Sequence, residues 1–295
     1  MKKNDLEFYD LSANQWWDKN AKIYALYYLN QPRFKFFDRY VPSWQGLKVL
    51  DVGCGGGFSC EFMAKRGAIT YGIDYSAKCI ETAQKHSSEN SLDINYKIGV
   101  AESLPYENNT FDVVICVDVL EHVSDYSKVV SEIYRVLKPG GIFFYDTINR
   151  NFQSRFMMIW LMENLLRLIP LGVHDWDKFI SPEELKELML SLGFVEVEMK
   201  GFDLFGEIGF VLGELNTFRK NLKFDTSLQV FIRKLIQVWK TNFINYQLYR
   251  KTGSFQISIN DDMSIMYIGK AVKKRETPYL WSGGVGEWGS RGVRE

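Results

Sequence analysis

The chain has 295 residues, of which 46% are hydrophobic and 24% are charged, and 36 basic side chains balance 36 acidic ones. This composition is typical of a folded globular protein and excludes disordered, collagen-like and coiled-coil chains. Zero net charge argues against a dedicated nucleic-acid binder, which would carry a basic surplus.

From residue 47 onward, short β-branched runs alternate with helical patterns, which predicts successive β-α-β units and a largely parallel α/β sheet. Seven strands are predicted, at residues 47–51, 69–74, 94–99, 111–117, 141–147, 194–202 and 263–272. Helices are predicted at residues 58–66, 77–89, 126–137 and 152–169, and a turn at residues 138–141. Ser181, Pro182 and Glu184 predict a capping box that opens a further helix.

The expected organisation is one α/β domain with additions. Its predicted parts are an N-terminal helical cover at 1–45, a core at 46–202 that includes a lid at 151–180, a helical insert at 203–262, a last strand at 263–274 and a tail at 275–295.

Features of secreted and membrane-spanning proteins are not apparent. The four cysteines form no C-x-x-C pair, so free thiols in a reducing cytosol are the simplest interpretation. Residues 1–10 lack the apolar run of a signal peptide, and the apolar stretch at 156–170 is shorter than the roughly 20 residues that span a bilayer. We therefore expect a cytoplasmic protein.

Residues 49–57, Val-Leu-Asp-Val-Gly-Cys-Gly-Gly-Gly, predict a buried strand that runs into a glycine-rich loop and opens a helix. No Gly-Lys-Ser/Thr follows, which excludes a nucleoside-triphosphate loop. Asp51 would repel a pyrophosphate but suits a ligand that carries an amine and a sulfonium. Asp74, at the end of the next strand, is placed to accept both hydroxyls of a ribose. The pattern predicts a site for a nucleoside with a cationic tail.

These residues resemble the class I methyltransferases that use S-adenosylmethionine. The resemblance rests on the glycine loop, Gly72-Ile73-Asp74, and the segments at 101–105, 111–114 and 137–141. It implies a Rossmann-like fold with a mostly parallel seven-stranded sheet, here with a helical lid and a helical insert before the last strand.

The chain is similar, more closely, to the ubiquinone-biosynthesis O-methyltransferases. The matching segments are Trp16-Trp17-Asp18, Asn-Gln-Pro-Arg at 30–33, Val-Leu-Glu-His-Val at 119–123, Thr-Ile-Asn-Arg at 147–150 and His-Asp-Trp-Asp-Lys-Phe-Ile at 174–180. This similarity spans about residues 10–202 and resumes at 264–270. It implies methylation of a phenol or catechol hydroxyl, on a polyprenylated quinone precursor.

The cofactor residues follow from the resemblance and from the charge argument for Asp51. They are Arg33, Asp51, Gly53, Gly55, Gly57, Asp74, Ala101, Glu102 and Val117. Arg33 is expected to reach the methionine carboxylate, for which a guanidinium offers paired donors. Ala101 and Glu102 are expected near adenine.

Asp118, Glu121 and His122 follow the fourth strand in an acid-x-x-acid-His pattern. Three such residues share a face on one helical turn. The resemblance implies that they hold a divalent cation, Mg²⁺, which would lower the pKa of a bound phenol. Asp118 is shorter than the glutamate common in the family. Two alternatives stay open: catalysis by His122 with Glu121 as acid–base residues without a metal, or a purely structural helix cap.

Two apolar segments predict contact with lipid. Residues 152–169 are rich in Met and Leu and suit a lipid tail, although a packed lid helix explains them as well. Residues 218–250 carry seven basic side chains and one acidic one with apolar residues at helical spacing, which is typical of an interfacial helix or of a solvated one. The predicted partners are a phenolic or lipidic acceptor and the inner face of a membrane, with no nucleic acid.

Two other functions remain as alternatives. One is methylation of another small metabolite on the same scaffold, because substrate choice depends on additions such as the insert. The other is a non-catalytic relative that binds the cofactor. His174 is either a substrate contact or an ordinary loop residue.

Overall fold

In the computed structural model, the described residues are residue 4 and residues 6–165, 167–203 and 257–275. They form an eight-stranded, mostly parallel sheet with helices on both faces, which confirms the predicted Rossmann-like α/β fold. The strands are β1 (Lys48–Val52), β2 (Ile69–Asp74), β3 (Ile94–Ile98), β4 (Phe111–Cys116), β5 (Leu137–Ile148), β6 (Phe194–Asp203), β7 (Ser258–Asn260) and β8 (Met266–Lys273). The α-helices are α1 (Glu7–Ser12), α2 (Ala25–Phe37), α3 (Phe58–Ala64), α4 (Ala77–Glu89), α5 (Tyr126–Val136), α6 (Phe152–Ser154) and α7 (Pro182–Leu192).

The strand order is β3-β2-β1-β4-β5-β8-β6-β7. Strands β1 to β5 pair in parallel, whereas β8 is antiparallel to both β5 and β6, and β7 is antiparallel to β6. The carboxyl ends of β1, β2, β4 and β5 therefore lie at one edge of the sheet. Open α/β sheets bind ligands at this edge.

Alternating residues of the strands supply two hydrophobic cores, one on each face of the sheet. Val49 and Phe144 pack with α2, α3 and the lid, whereas Leu50 and Phe143 pack with α5 and α7. All four side chains are fully buried. Successive side chains of a strand point to opposite faces, so helices on both sides need the near-continuous apolar runs that the sequence shows.

The N-terminal cover is part of the main core. Phe34, Phe36 and Phe37 of α2 are buried, and the ring of Phe37 stacks on Phe144 of β5 with centroids 4.3 Å apart. This packing fixes α2 against the face of the sheet and places the polar residues of the helix beside the carboxyl edge.

The predicted capping box is confirmed: the Ser181 hydroxyl accepts from the backbone N–H of Glu184, and the Glu184 side chain accepts from that of Ser181. Three other predictions were wrong in detail. The turn predicted at 138–141 is a bulge within β5, because Phe111 pairs with Leu137 and Val113 already pairs with Ile142.

The lid is less regular than predicted, since residues 152–154 are α-helical and residues 155–165 form a π-helix. Strand β7 lies within the segment 203–262 that was predicted to be helical, and it accounts for the eighth strand. Residues 204–256, with the basic stretch, and the tail from residue 276 lie outside the described residues. Within the described ranges, none of the helices combines the length and the hydrophobicity that a membrane span requires.

If α2 belongs to the core, Phe37→Ala should lower the free energy of unfolding by about 3–5 kcal/mol, because it leaves a cavity beneath the sheet. Urea unfolding, monitored by circular dichroism, measures the free energy of unfolding. Leu190→Ala on α7, where the side chain is 50% exposed, is the control and should change stability by less than about 1 kcal/mol. Equal effects of the two substitutions would contradict the packing of α2.

Candidate active site

The glycine loop after β1 lies directly under the N-terminal cover. Gly53 and Gly55 have φ angles of +74° and +49°, which L-residues rarely adopt. A Cβ at Gly55 would also collide with the ring of Trp16. The indole N–H of Trp17 donates to the Gly56 carbonyl at 2.9 Å. The cover and the loop therefore form one wall of the site.

Two aspartates lie beside this loop. Asp74, at the end of β2, accepts the backbone N–H of Gly55 with one carboxylate oxygen and that of Ser76 with the other, both at 2.9 Å. Each oxygen keeps a further lone pair for a ligand. Asp51 is buried, and burial raises its pKa to about 7, against the opposing hydrogen bond from the Cys60 thiol.

Arg33 of α2 is buried between two carboxylates. Its Nε donates to Asp146 of β5 and its Nη2 donates to Asp118 after β4, each at 2.5 Å. The other oxygen of Asp146 accepts the backbone N–H of Asp118 at 2.9 Å, and Asp118 has a left-handed φ of +54°. Asp146 thus fixes both the guanidinium and the start of the loop that follows β4.

These groups surround a cavity of about 420 Å³ at the carboxyl edge of the sheet. Among its lining residues are eight that the sequence predicted for the cofactor: Arg33, Asp51, Gly53, Gly55, Asp74, Ala101, Glu102 and Val117. Gly57, the ninth, is not among them. It is the N-cap residue before α3, with a φ of +93°, and lies against Tyr96.

A second cavity, of about 310 Å³, adjoins the first. Tyr9, Leu26, Asp118 and His122 line both cavities. The rest of its wall is largely apolar and includes Ile23, Leu29, Met158, Met162, Leu168, Ile169, Val173 and Met266. A ligand in the second cavity therefore meets a ligand in the first beside Asp118 and His122.

The segment with Asp118, Glu121 and His122 is a turn, not the helical turn that was predicted. Each side chain has a different partner. Asp118 pairs with Arg33. The Glu121 carboxyl group accepts a hydrogen bond from the Thr147 hydroxyl at 2.7 Å, and Nδ1 of His122 lies 3.0 Å from Oδ1 of Asn4. Among the described residues, no group of three His, Cys, Asp or Glu side chains could hold a metal ion. In this arrangement the three side chains do not fit a magnesium ion.

Burial favours the neutral forms of Glu121 and His122. It raises the pKa of Glu121 to about 8, an effect that the nearby Asp118 increases. It lowers the pKa of His122 well below its ordinary value, and electrostatic repulsion from His174 and Lys178 acts in the same direction. At neutral pH the imidazole of His122 is therefore uncharged, and burial also makes it a weaker base than a free imidazole.

His174 lies in the second cavity, stacked on His122 with ring centroids 5.4 Å apart. Its Nδ1 and its backbone N–H both contact the buried carboxylate of Glu163, at 2.6 and 3.0 Å, and the backbone N–H of Gly172 donates to the same carboxylate. Glu163 thus ties the loop that carries His174 to the lid helix.

The sequence assigned no role in the site to Asp146, Thr147, Asn4 or Asn30, although Thr147 and Asn30 lie in the segments that match the family and Asn30 lines the first cavity. A charged residue inside the apolar strand Phe-Phe-Tyr-Asp-Thr was the available signal for Asp146, because a buried charge requires a partner. Asn4 lies far along the chain from His122, and no local pattern connects the two.

Comparison with known proteins shows the family of the chain. A family model described as a methyltransferase domain matches residues 50–145. The ubiquinone biosynthesis O-methyltransferase of Pseudomonas entomophila is 43% identical over 178 residues, which cover 60% of this chain and 76% of that protein. That of Roseobacter denitrificans is 37% identical over 210 residues, or 68% of this chain and 85% of that protein.

The chain belongs to the ubiquinone biosynthesis O-methyltransferase family. It is an S-adenosylmethionine-dependent O-methyltransferase.

Solved structures share the fold of this O-methyltransferase. A possible histamine N-methyltransferase of Thermotoga maritima superposes with a TM-score of 0.55 at 17% identity, covering 91% of this chain and 99% of that one. Phosphoethanolamine N-methyltransferase 2 of Haemonchus contortus, in complex with S-adenosyl-L-methionine, gives 0.55 at 20% identity over 91% of this chain and 60% of that one.

The residues of the first cavity fit S-adenosylmethionine. Its volume is in the range of small-molecule sites. Asp74 offers lone pairs to a ribose. The acidic groups that line the cavity, of Asp51, Asp74, Glu102 and Asp118, outnumber the cations of Arg33 and Lys178, so the field favours a sulfonium cation.

Because burial raises the pKa of Asp51 to about 7, its carboxylate gains charge as the pH rises through neutrality. The charged form attracts the sulfonium, so affinity for S-adenosylmethionine should rise about five- to tenfold between about pH 6 and pH 8. Calorimetry at several pH values measures this. Asp51→Asn should bind more weakly and lose the pH dependence; an unchanged pH profile in that variant would assign the effect to another group.

Proposed function

We propose that this O-methyltransferase transfers the methyl group of S-adenosylmethionine to a phenol or catechol hydroxyl of a prenylated quinone precursor. The observation that carries the proposal is the junction of the two cavities. The cavity beside the glycine loop suits the cofactor, the apolar cavity suits a prenylated ring, and they meet at Asp118 and His122. The names of the relatives support an acceptor of the ubiquinone pathway.

The order of the strands sets the direction of the cofactor. β2 and β4 lie on either side of β1, so Asp74 and the Arg33–Asp118 pair are about two strand spacings, ~10 Å, apart. The ribose would bind to Asp74, with adenine toward Ala101 and Glu102. The methionine end would pass Val117 toward Arg33, which places the methyl group near the second cavity.

The apolar cavity would receive the acceptor ring at its polar inner end and the prenyl chain along the methionines of the lid. Met158 and Met162 are unbranched and adapt to irregular apolar ligands. Glu121 is one of the polar residues that line this cavity, and its raised pKa leaves part of it protonated near neutral pH. It can therefore donate a hydrogen bond to the acceptor or accept one.

Asn4 sets the tautomer of His122. Its Nδ2 donates to the His122 carbonyl at 2.8 Å, so its Oδ1 is the atom that faces the Nδ1 of the imidazole at 3.0 Å. An amide oxygen only accepts, which places the proton of the neutral imidazole on Nδ1. Nε2 then carries the lone pair, as a general base requires.

In the reaction, the phenol oxygen attacks the methyl carbon in line with the departing sulfur. A C–O bond forms, the C–S bond breaks, and its electron pair stays on sulfur as the sulfonium becomes a neutral thioether. The phenolic proton passes to Nε2 of His122. The protein contributes alignment of the two ligands, exclusion of water and a base, which are large effects for a reaction of this kind.

His122→Asn should lower kcat by about 100-fold or more, because the variant lacks the proton acceptor. Transfer of labelled methyl groups to a prenylated catechol measures the rate. Binding of S-adenosylhomocysteine should stay within about twofold of wild type, which separates loss of the base from loss of the fold.

The same assay with a chelator tests the metal alternative. We expect the rate of methyl transfer to persist in the presence of the chelator, because the imidazole accepts the proton. A rate that disappears with the chelator and returns with magnesium would contradict the role of His122, since the ion would then activate the phenol.

We further propose that the lid contacts a membrane surface, from which a prenylated acceptor would enter. Five large apolar side chains of this region are between 37% and 61% exposed: Phe152, Trp160, Leu165, Leu168 and Leu171. Leu168 also lines the apolar cavity. Exposed apolar groups next to the opening of an apolar cavity are typical of a membrane-contact site.

Trp160→Asp should weaken cosedimentation with anionic phospholipid vesicles by about tenfold, because it places a charge in the apolar contact. Ile98→Asp, at an exposed residue of β3, is the matched control and should bind as wild type does. Equal binding by both variants, or no binding by the wild-type chain at low salt, would contradict the membrane contact.

A further inference from the structure

Two residues that line the first cavity each carry a buried side-chain N–H group without a partner. Of the described residues, Asn30 and Trp16 combine a place in the cavity wall with a side-chain nitrogen that makes no hydrogen bond. Asn30 is only 1% exposed and Trp16 only 5%. A buried donor without an acceptor is unfavourable, and such groups are rare in folded proteins unless a ligand or water completes them.

The amide of Asn30 is held in one orientation. The Ser59 hydroxyl of α3 donates to Asn30 Oδ1 at 2.9 Å, and both residues are buried. This bond leaves Nδ2 as the unpaired end of the amide. Both Ser59 and Asn30 line the first cavity, so the unpaired donor lies at the wall of the binding site.

Asn30 lies three residues before Arg33 on α2, and residues at this spacing share a helix face. Arg33 already pairs with two carboxylates, Asp146 and Asp118. A ligand carboxylate that approached Arg33 would meet their negative charge as well. A neutral N–H donor beside the guanidinium would offset part of this repulsion, because it adds a hydrogen bond without another anion.

We infer that Asn30 is a carboxylate-binding residue: its Nδ2 donates to the carboxylate of the methionine moiety of S-adenosylmethionine, next to Arg33. The nucleoside lies on the β2 side of the site, beside Asp74, and takes no part in this contact. Asn30 therefore discriminates between adenosyl ligands with an amino-acid tail and those without one.

Two ligands test this inference without turnover. S-adenosylhomocysteine carries the carboxylate, whereas 5′-methylthioadenosine has the same nucleoside and a thioether but no amino acid. Asn30→Leu removes the donor, and Asn30→Asp replaces it with a charged acceptor at nearly constant volume. Calorimetry gives the affinity of each variant for each ligand, and no methyl acceptor is present, so the result is independent of the proposed acceptor.

Asn30→Leu should weaken S-adenosylhomocysteine about tenfold or more, as expected for a hydrogen bond to a charged group, and Asn30→Asp should weaken it further. Binding of 5′-methylthioadenosine should stay within about twofold of wild type, which also shows that each variant is folded. Gln31→Glu makes the same amide-to-carboxylate change on the exposed side of α2 and should leave both affinities unchanged.

Three results would overturn the inference. Equal weakening of both ligands would make Asn30 a structural residue. An unchanged affinity for S-adenosylhomocysteine in Asn30→Leu would show that the amide makes no contact with the carboxylate. Tighter binding in Asn30→Asp would place the ammonium group of the ligand, not its carboxylate, beside residue 30.

Discussion

The buried guanidinium of Arg33 is the interaction on which the rest of the site depends. It joins helix α2 of the N-terminal cover to Asp146 in β5 and to Asp118 after β4. A buried charge is tolerated only with partners, and removal of one partner from such a pair typically costs about 3–5 kcal/mol. The cover and the carboxyl edge of the sheet are therefore held together as one unit, with the aromatic packing of α2 beneath them.

This pairing also arranges the chemistry. Asp146 accepts the backbone N–H of Asp118 and supports its left-handed conformation, which directs the following turn between the two cavities. His122 then lies at the junction and Glu121 in the wall of the second cavity, and burial keeps both near their neutral forms. Because two carboxylates share one guanidinium, the first cavity keeps an excess of acidic groups, which suits a sulfonium. The wall of the second cavity is largely apolar.

The sequence predicted the fold, and it singled out eight residues that line the first cavity, because those features depend on local patterns. The glycine loop, the acids at the ends of β1 and β2, and the Ser181 cap each lie within a few residues of the element that they complete. The contacts of Asp146 with Arg33, of Asn4 with His122 and of Ser59 with Asn30 join segments 29 to 118 residues apart, so only the folded chain shows them.

Where the structure departs from the predictions, contacts between distant segments are again the cause. The acid-x-x-acid-His pattern suggested three ligands on one helical turn, but Arg33 binds Asp118 and the segment folds as a non-helical turn. The glycines at 140 and 141 were interpreted as a stop between elements, whereas pairing with β4 carries the strand through them as a bulge. In both places a tertiary partner outweighs the local preference.

The most direct test of the account is a methyl-acceptor assay of the wild-type chain with S-adenosylmethionine and a prenylated catechol, read by mass spectrometry. We expect one methyl group on a ring oxygen of the acceptor and one equivalent of S-adenosylhomocysteine for each product formed. A chain that binds S-adenosylhomocysteine but leaves every phenol and catechol unmethylated would contradict it.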